Sequence, residues 1–147
     1  MKSFILFISI FLILSRIEAE PYKIHSIKLR ARNVKLLSKN ILILKGDVNI
    51  ELKELTINCD TIKIVLKNNE IEKIVAEGSV QLKWDINLIK GNKVIIELKR
   101  AKIIIPEKVK IIRRNTIIVA NNGYIDLDNK NLELNQVNIT ISWKDNY

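Results

Sequence analysis

Few side chains in this sequence are suited to chemistry on a bound substrate. His25 is the single histidine and Cys59 the single cysteine of 147 residues. A hydrolytic triad or a metal centre needs several such groups brought together, and no Ser/His/Asp set or ligand cluster can be assembled around His25. No pair of carboxylates stands out for general acid–base catalysis. We therefore expect that the protein is not an enzyme and uses no cofactor or metal.

Cys59 is also informative about stability. A single cysteine cannot form an intrachain disulfide, so the fold must be held by its core. An isolated cysteine usually behaves as a small apolar residue inside a protein. We predict that Cys59 is buried rather than a reactive thiol.

The charge of the chain favours phosphate-bearing partners. There are 25 Lys and Arg against 16 Asp and Glu, a net charge of +9. A lipid head group, an anionic membrane surface and nucleic acid all fit this balance. Nucleic acid is excluded by the export signal described next and by the lack of interleaved aromatics for base stacking. A solvated outer face also explains many of the lysines, whereas four arginines are head-group candidates: Arg30, Arg32, Arg113 and Arg114.

The first nineteen residues have the organisation of a secretory signal peptide. Lys2 precedes an apolar run over residues 4–14, and Ala19 offers a small residue for cleavage. Eleven apolar residues make about 16 Å of helix, whereas a bilayer core is about 30 Å thick. We predict a signal peptide at 1–19, a single domain at 20–147 and a periplasmic location. Retention of the segment as a membrane anchor is the alternative.

The rest of the chain alternates apolar and polar residues with a period of two. Val48, Ile50 and Leu52 alternate with polar neighbours, and residues 62–66, 80–84, 94–98 and 132–141 follow the same pattern. This alternation is typical of strands with one buried face. Turn signals at 38–40, 67–69, 90–92, 121–123 and 128–130 separate the runs. The pattern predicts an all-β domain of about a dozen short antiparallel strands, beginning with a strand at 24–31 and ending with one at 137–143.

The interior of this domain must be almost wholly aliphatic. All three phenylalanines and the only methionine lie in the first eleven residues. The four glycines form two pairs with equal separation, Gly46 with Gly78 and Gly91 with Gly123. A period of about 32 residues indicates stacked supersecondary units that bury one continuous apolar interior.

Several segments resemble the OstA-like family of lipopolysaccharide-transport proteins, which includes the LptA type. Residues 46–48 and 78–80 match the family's "G-N-V-x-I" segments, with Ser79 in place of the usual Asn. Residues 59–60 and 91–92 match its "I-x-A-D-x-I" segments, with Cys59 in place of the usual small residue. Residues 31–34 are similar to a degenerate first copy. The resemblance extends over about residues 26–141 and is weakest at 103–120.

The resemblance implies a twisted, V-shaped β-jellyroll with an apolar groove for lipid A acyl chains. It also implies head-to-tail stacking into a bridge between the inner and outer membranes. The expected partners are lipopolysaccharide, and by β-strand addition an LptC-like inner-membrane protein and an LptD-like outer-membrane protein. The groove would be lined by the inward aliphatic residues Ile27, Leu29, Leu44, Val48, Ile50, Ile57, Ile62, Ile64, Ile74, Val80, Leu82, Val94, Ile96, Ile125, Leu127, Leu134 and Ile139.

Three alternatives to this interpretation stay open. The inward residues could form a plain closed core without a ligand. The chain could be an anchored LptC-type component, or a structural envelope protein that self-assembles and carries no lipid. The last strand is nearly uncharged, so its open edge could be a joint between molecules or could be shielded by the tail at 144–147.

Overall fold

A computed structural model describes residues 27–52 and 54–143, and its regular elements in these ranges are all β-strands. The prediction of an all-β domain of about a dozen antiparallel strands is therefore confirmed. The predicted signal peptide lies outside the described residues. The strands are β1 (Lys28–Arg30), β2 (Asn33–Ser38), β3 (Ile41–Leu52), β4 (Leu55–Lys67), β5 (Glu70–Trp84), β6 (Asn87–Glu97), β7 (Lys102–Ile105), β8 (Val109–Arg113), β9 (Thr116–Ala120), β10 (Asn122–Asp126), β11 (Asn131–Asn135) and β12 (Asn138–Ile141).

The four strands β3 to β6 form the centre of the molecule and are 11 to 15 residues long. Each pairs with the next in an antiparallel ladder. The ladders β3–β4, β4–β5 and β5–β6 each contain an irregularity near their middle, where the register shifts. Because a β-bulge bends its strand and increases its twist, the four-stranded sheet bends along this line.

The bend divides the strands into two layers. Layer A is the order β1–β3–β4–β5–β6–β8–β9–β12, and layer B is the order β2–β3–β4–β5–β6–β7–β10–β11. The central strands belong to both layers, one half to each. The shorter strands each pair within a single layer. Neither layer closes on itself, as expected for a β-jellyroll rather than a closed barrel.

The glycine repeat supplies the backbone conformation that the bend requires. Gly46 and Gly78 have φ values of +85° and +83°, which favour glycine, and the following Asp47 and Ser79 also have positive φ. Both pairs coincide with register shifts in the ladders, one in β3 and one in β5. The repeat unit is therefore a hairpin of two long strands, each with its bend in the middle.

The two kinds of motif found in the sequence meet at this bend. A Cβ on Gly78 would lie 2.6 Å from the Oδ2 atom of Asp60 on the neighbouring strand. A Cβ on Gly46 would lie 3.0 Å from the Cβ of Arg32, whose backbone N–H donates to the Gly46 carbonyl at 3.1 Å. Gly78 thus leaves space for the Asp60 side chain, and Gly46 leaves space for the Arg32 side chain.

Two predicted turns and the predicted strand lengths are wrong. Residues 90–92 lie inside β6, because Gly91 is next to the bend of a continuing strand rather than at its end. Residues 121–123 contain the start of β10, so the connection from β9 in layer A to β10 in layer B consists of Asn121 alone. The central strands are longer than predicted. The glycine and polar residues that form a bulge within a strand are similar to those that form a turn between two strands. The last strand is Asn138–Ile141, shorter than predicted, and of the predicted strand at 24–31 only 27–31 is described, where β1 covers Lys28–Arg30.

Candidate binding site between the layers

Each layer presents to the interior a row of aliphatic side chains that are direct cross-strand partners from one edge to the other. In layer A, inner row A consists of Leu29, Ile50, Ile57, Leu82, Ile89, Ile111, Ile118 and Ile139. In layer B, inner row B consists of Leu36, Leu42, Ile64, Ile74, Ile96, Ile103, Ile125 and Leu132. Each of the eight strands in a layer contributes one residue to its row.

The side chains become less buried toward the β12 end of inner row A and toward the β2 end of inner row B. The central members are almost completely buried, such as Ile57 and Ile74 at 0% exposure. Inner row A ends on β12 with Ile139, which is 60% exposed, and inner row B begins on β2 with Leu36, which is 63% exposed. The rows are thus open at opposite ends of the molecule, and each opening lies at a sheet edge with which no further described strand pairs.

The interior between the layers contains no polar group among the described residues. No described residue with a polar or charged side chain is buried, and Trp84 is the one aromatic in the buried core of that part of the chain. The predicted aliphatic interior is therefore present. Such an environment accepts hydrocarbon without leaving polar groups unpaired.

A cleft of about 800 Å³ opens where the layers separate near their C-terminal strands. Ile111 and Ile118 line it from layer A, and Leu132 and Leu134 line it from layer B, with Trp84 at its inner end. Two of these residues belong to inner row A and one to inner row B. The cleft is therefore where the aliphatic interior becomes accessible to a ligand.

Charged side chains surround the mouth of this cleft. Arg113 and Lys130 contribute positive charge, and Glu54 and Asp85 contribute negative charge. The Nζ of Lys130 lies 3.8 Å from the Oε1 of Glu54. Because Glu54 lies in the β3–β4 turn of layer A and Lys130 precedes β11 of layer B, this ion pair bridges the two layers.

The turn that carries Lys130 is ordered by Asp126. Its Oδ1 accepts hydrogen bonds from the backbone N–H groups of Asp128 and Asn129 at 3.1 and 3.3 Å. Its Oδ2 accepts a bond of 3.0 Å from the Asn129 side chain. These hydrogen bonds lower the pKa of Asp126 below its ordinary value, and the bond from the Asn129 side chain has the largest effect. The carboxylate thus stays ionised and fixes the turn beside the cleft.

Most of the aliphatic residues predicted to line a groove lie in one buried cluster. Leu134 is partly buried and lines the cleft, whereas Ile139 is exposed on the edge strand β12. The buried members are Ile27, Leu29, Leu44, Val48, Ile50, Ile57, Ile62, Ile64, Ile74, Val80, Leu82, Val94, Ile96, Ile125 and Leu127. Their packing against one another makes most of the interior a core, and places the accessible part at its C-terminal end.

The four candidate arginines lie in different places. Arg113 is at the mouth of the cleft. Arg30 is exposed on β1, Arg32 forms an ion pair with Asp47, and Arg114 lies in the β8–β9 turn. The structure therefore brings Arg113 to the candidate site and places the other three elsewhere.

Sequence reasoning missed the residues that distinguish the cleft from the core. Ile111 is followed by Ile112, and Ile118 stands between Ile117 and Val119, so that alternation does not identify their inward face. Lys130 belongs to a turn signal and has no sequence feature that relates it to Glu54. Inward orientation in strands joined across two layers follows from register, which a single sequence does not specify.

Cys59 is buried as predicted, at 6% exposure. Its Sγ lies 3.5 Å from the Thr61 carbonyl oxygen, as a weak donor. Burial raises the pKa of this thiol to about 11, since an apolar environment disfavours the thiolate.

The described part of the chain also bears on membrane spans and metal sites. In residues 27–52 and 54–143, no helix is both long and apolar enough to cross a membrane. Within the same ranges, no group of three or more His, Cys, Asp or Glu residues is arranged to hold a metal ion.

The architecture has a counterpart among solved structures. No family model matches the chain, and no curated protein matches it. The chain is similar in structure to the crystal structure of LptH, the LptA-homologous periplasmic component of the conserved lipopolysaccharide transport device from Pseudomonas aeruginosa. The TM-score is 0.68 and the identity 12%, covering 80% of this chain and 95% of that one. The predicted resemblance is confirmed at the level of the fold: the chain has the fold of an LptA-type, OstA-like β-jellyroll.

Proposed function

We propose that the protein is an exported, periplasmic component of a lipopolysaccharide transport system that binds lipid A acyl chains between its layers. The observation that carries this proposal is the pair of aliphatic rows that run from edge to edge, with members of both rows lining the cleft. The structural likeness to LptH supports the same function. No residue is assigned to catalysis.

Hydrocarbon binding in the cleft is favourable on simple energetic grounds. Burial of each methylene group contributes about 0.8 kcal/mol, so several acyl chains would bind tightly. Arg113 and Lys130 at the mouth can pair with the phosphates of a lipid A head group while the chains lie against Ile118 and Leu132. Release then requires transfer to a similar site rather than escape into water.

Head-to-tail stacking would provide such a site. The free edges at one end are β1 and β2, and those at the other end are β11 and β12. Strand addition of β12 to β1 and of β11 to β2 of the next molecule would continue both aliphatic rows. The exposed Ile139 would then meet Leu29 of the next molecule, and the exposed Leu36 would meet Leu132 of the previous one. The same edges would serve an LptC-like and an LptD-like partner.

Two other functions share parts of this evidence. An anchored LptC-type component would retain residues 1–19, which mass spectrometry of the exported protein detects directly. A structural envelope protein would stack through the same edges but would hold no lipid. Its interior would be a core throughout, in agreement with the complete burial of the central row members.

Photo-crosslinking tests the proposed ligand. A photoreactive side chain at Leu132, which faces the cleft, should form an adduct with lipopolysaccharide in cells. The same group at the adjacent Glu133, which points to the opposite face of β11, is the matched control and should form none. If Leu132 forms no adduct while the protein still assembles, the structural alternative replaces the transport function.

A further inference from the structure

The outward face of layer A carries an unusual concentration of positive charge. Two outward rows of direct cross-strand partners run from β1 to β12, one starting at Lys28 and one at Arg30. Within these two rows Glu51 is the one carboxylate, against five cations. The cations are Lys28, Arg30, Lys83, Lys90 and Lys110.

The arrangement of these cations is unfavourable for the isolated protein. Lys90 of β6 and Lys110 of β8 are directly opposite each other, and like charges in that position destabilise a sheet. None of the five cations forms an ion pair with another described residue. Bound anions would remove this repulsion.

The outward face of layer B has more carboxylates directly opposite its lysines. There Lys93 is opposite Glu77, and Lys102 is opposite both Glu97 and Asp126. Three other lysines of layer B, Lys35, Lys45 and Lys63, face no carboxylate. Positive charge is therefore partly balanced across the strands of layer B, whereas the two outward rows of layer A contain a single carboxylate.

Apolar side chains accompany the charge on layer A. Leu88, Ile112 and Ile117 are direct partners on β6, β8 and β9, and they point outward, away from the core. Ile117 is 38% exposed, and Ile86 in the nearby β5–β6 turn is 44% exposed. A face with partly exposed apolar residues among lysines that form no ion pair with a described residue has the properties of a surface that lies on a membrane.

We propose that the outward face of layer A, defined by Lys83, Lys90, Lys110, Leu88, Ile112 and Ile117, binds the surface of an anionic phospholipid bilayer. The lysines contact the lipid phosphates, and the three aliphatic residues insert among the head groups. This proposal does not depend on the interior rows or the cleft, so it stands apart from the proposed transport function. It would place the protein flat against a membrane, with both free edges accessible at the sides.

Vesicle sedimentation tests this proposal. The full chain is mixed with vesicles of phosphatidylcholine alone or of phosphatidylcholine and phosphatidylglycerol in equal amounts. We expect tighter binding to the anionic vesicles, weakened by salt. The triple variant Lys83→Gln, Lys90→Gln and Lys110→Gln should lose affinity for them roughly a hundredfold, because each lysine near an anionic surface contributes a factor of about five.

A matched control separates this face from total charge. The variant Lys35→Gln, Lys45→Gln and Lys63→Gln removes the same charge from exposed positions of layer B. It should keep at least a third of the wild-type affinity. Any membrane affinity of residues 1–19 is common to all variants and cancels in the comparison. Equal losses of affinity in the two triple variants would overturn the proposal. Equal binding of the wild type to both kinds of vesicle would also overturn it, and an acidic protein would then be the occupant of this face.

Lysine acetylation measured by mass spectrometry provides a second readout that needs no variant. With anionic vesicles present, Lys83, Lys90 and Lys110 should be acetylated several times more slowly, while Lys35, Lys45 and Lys63 should be unaffected. Protection of both sets or of neither would contradict a specific membrane face.

Discussion

Lys130 of layer B and Glu54 of layer A form an ion pair across the mouth of the cleft, with 3.8 Å between Nζ and Oε1. Both side chains are largely accessible to solvent, so the pair contributes little to stability, on the order of 0–1 kcal/mol. Its position matters more than its strength, since a ligand with a phosphate group would compete with Glu54 for Lys130.

The first prediction concerns this competition. Glu54→Gln should raise the affinity for lipopolysaccharide severalfold, because Lys130 is then free to pair with a phosphate, whereas Lys130→Gln should lower it. Both variants should keep the wild-type melting temperature within a few degrees. Binding can be followed by the fluorescence of Trp84, which lines the cleft, in a Trp143→Phe background. Changes of the same sign in both variants would contradict a role for the pair at the ligand site.

The second prediction concerns the two open row ends. Ile139→Asp and Leu36→Asp should each abolish head-to-tail assembly, because every junction would contain one charged side chain. Both residues are more than half exposed in the monomer, so its free energy of unfolding should change by less than about 0.5 kcal/mol. Ile86→Asp, at an exposed turn away from both edges, is the matched control and should assemble normally.

A mixture of the two edge variants provides a stricter test of head-to-tail assembly. Ile139→Asp retains an intact β1–β2 end and Leu36→Asp an intact β11–β12 end, so the mixture should form dimers and nothing larger. Analytical ultracentrifugation measures this outcome. If Ile139→Asp alone forms dimers, like ends would be pairing and the head-to-tail arrangement would be wrong.

The third prediction concerns the bend. Gly78→Ala should destabilise the protein by about 1–3 kcal/mol, because residue 78 has φ +83° and the new Cβ would meet the Asp60 carboxylate. Gly91→Ala is the matched control, since its Cβ would have no neighbour closer than 3.7 Å. Its free energy of unfolding in urea should remain near that of the wild type. Equal losses in both variants would show that the bend does not depend on a glycine at position 78.

The fourth prediction concerns the pH dependence of Cys59. Burial raises the pKa of the Cys59 thiol in the folded protein to about 11, from an ordinary value of 9.0. The neutral thiol therefore stabilises the fold below the unfolded pKa, and this contribution is lost as the pH rises through 11. At pH 8 the thiolate fraction is about a hundredfold lower than in the unfolded chain. Reaction with a disulfide reagent should be correspondingly slow, and should reach the unfolded rate in urea. A native rate equal to the unfolded rate would contradict burial.

Much of the fold could be predicted from alternation. Val48, Ile50 and Leu52 alternate with polar residues, and all three are buried on one face of β3. The spacing of Gly46 and Gly78 indicated a repeated unit, which in the structure is a hairpin of two long strands. The bend itself was not predicted, because a glycine followed by a polar residue is equally compatible with a turn between two short strands and with a bulge inside a long one.

The candidate site was less accessible to sequence reasoning than the fold. The inward residues of β3 to β6 were identified, yet they form the closed part of the interior. The cleft depends on Ile118 and Leu132, which approach each other from strands of different layers. Their proximity results from the order in which β7 to β12 are added to the central strands, and no local pattern encodes that order.

The division of strands between layers has a mechanical consequence. At the centre of the molecule, β3 to β6 each cross from one layer to the other, so four continuous backbones hold the layers together. On the C-terminal side, β8, β9 and β12 belong to layer A and β7, β10 and β11 to layer B, joined by short connections such as that at Asn121. We therefore expect the molecule to be stiffer at its centre than at its C-terminal end. The proposed acyl-chain ligand would be admitted at the C-terminal end, where two groups of three strands can move apart with every strand remaining intact.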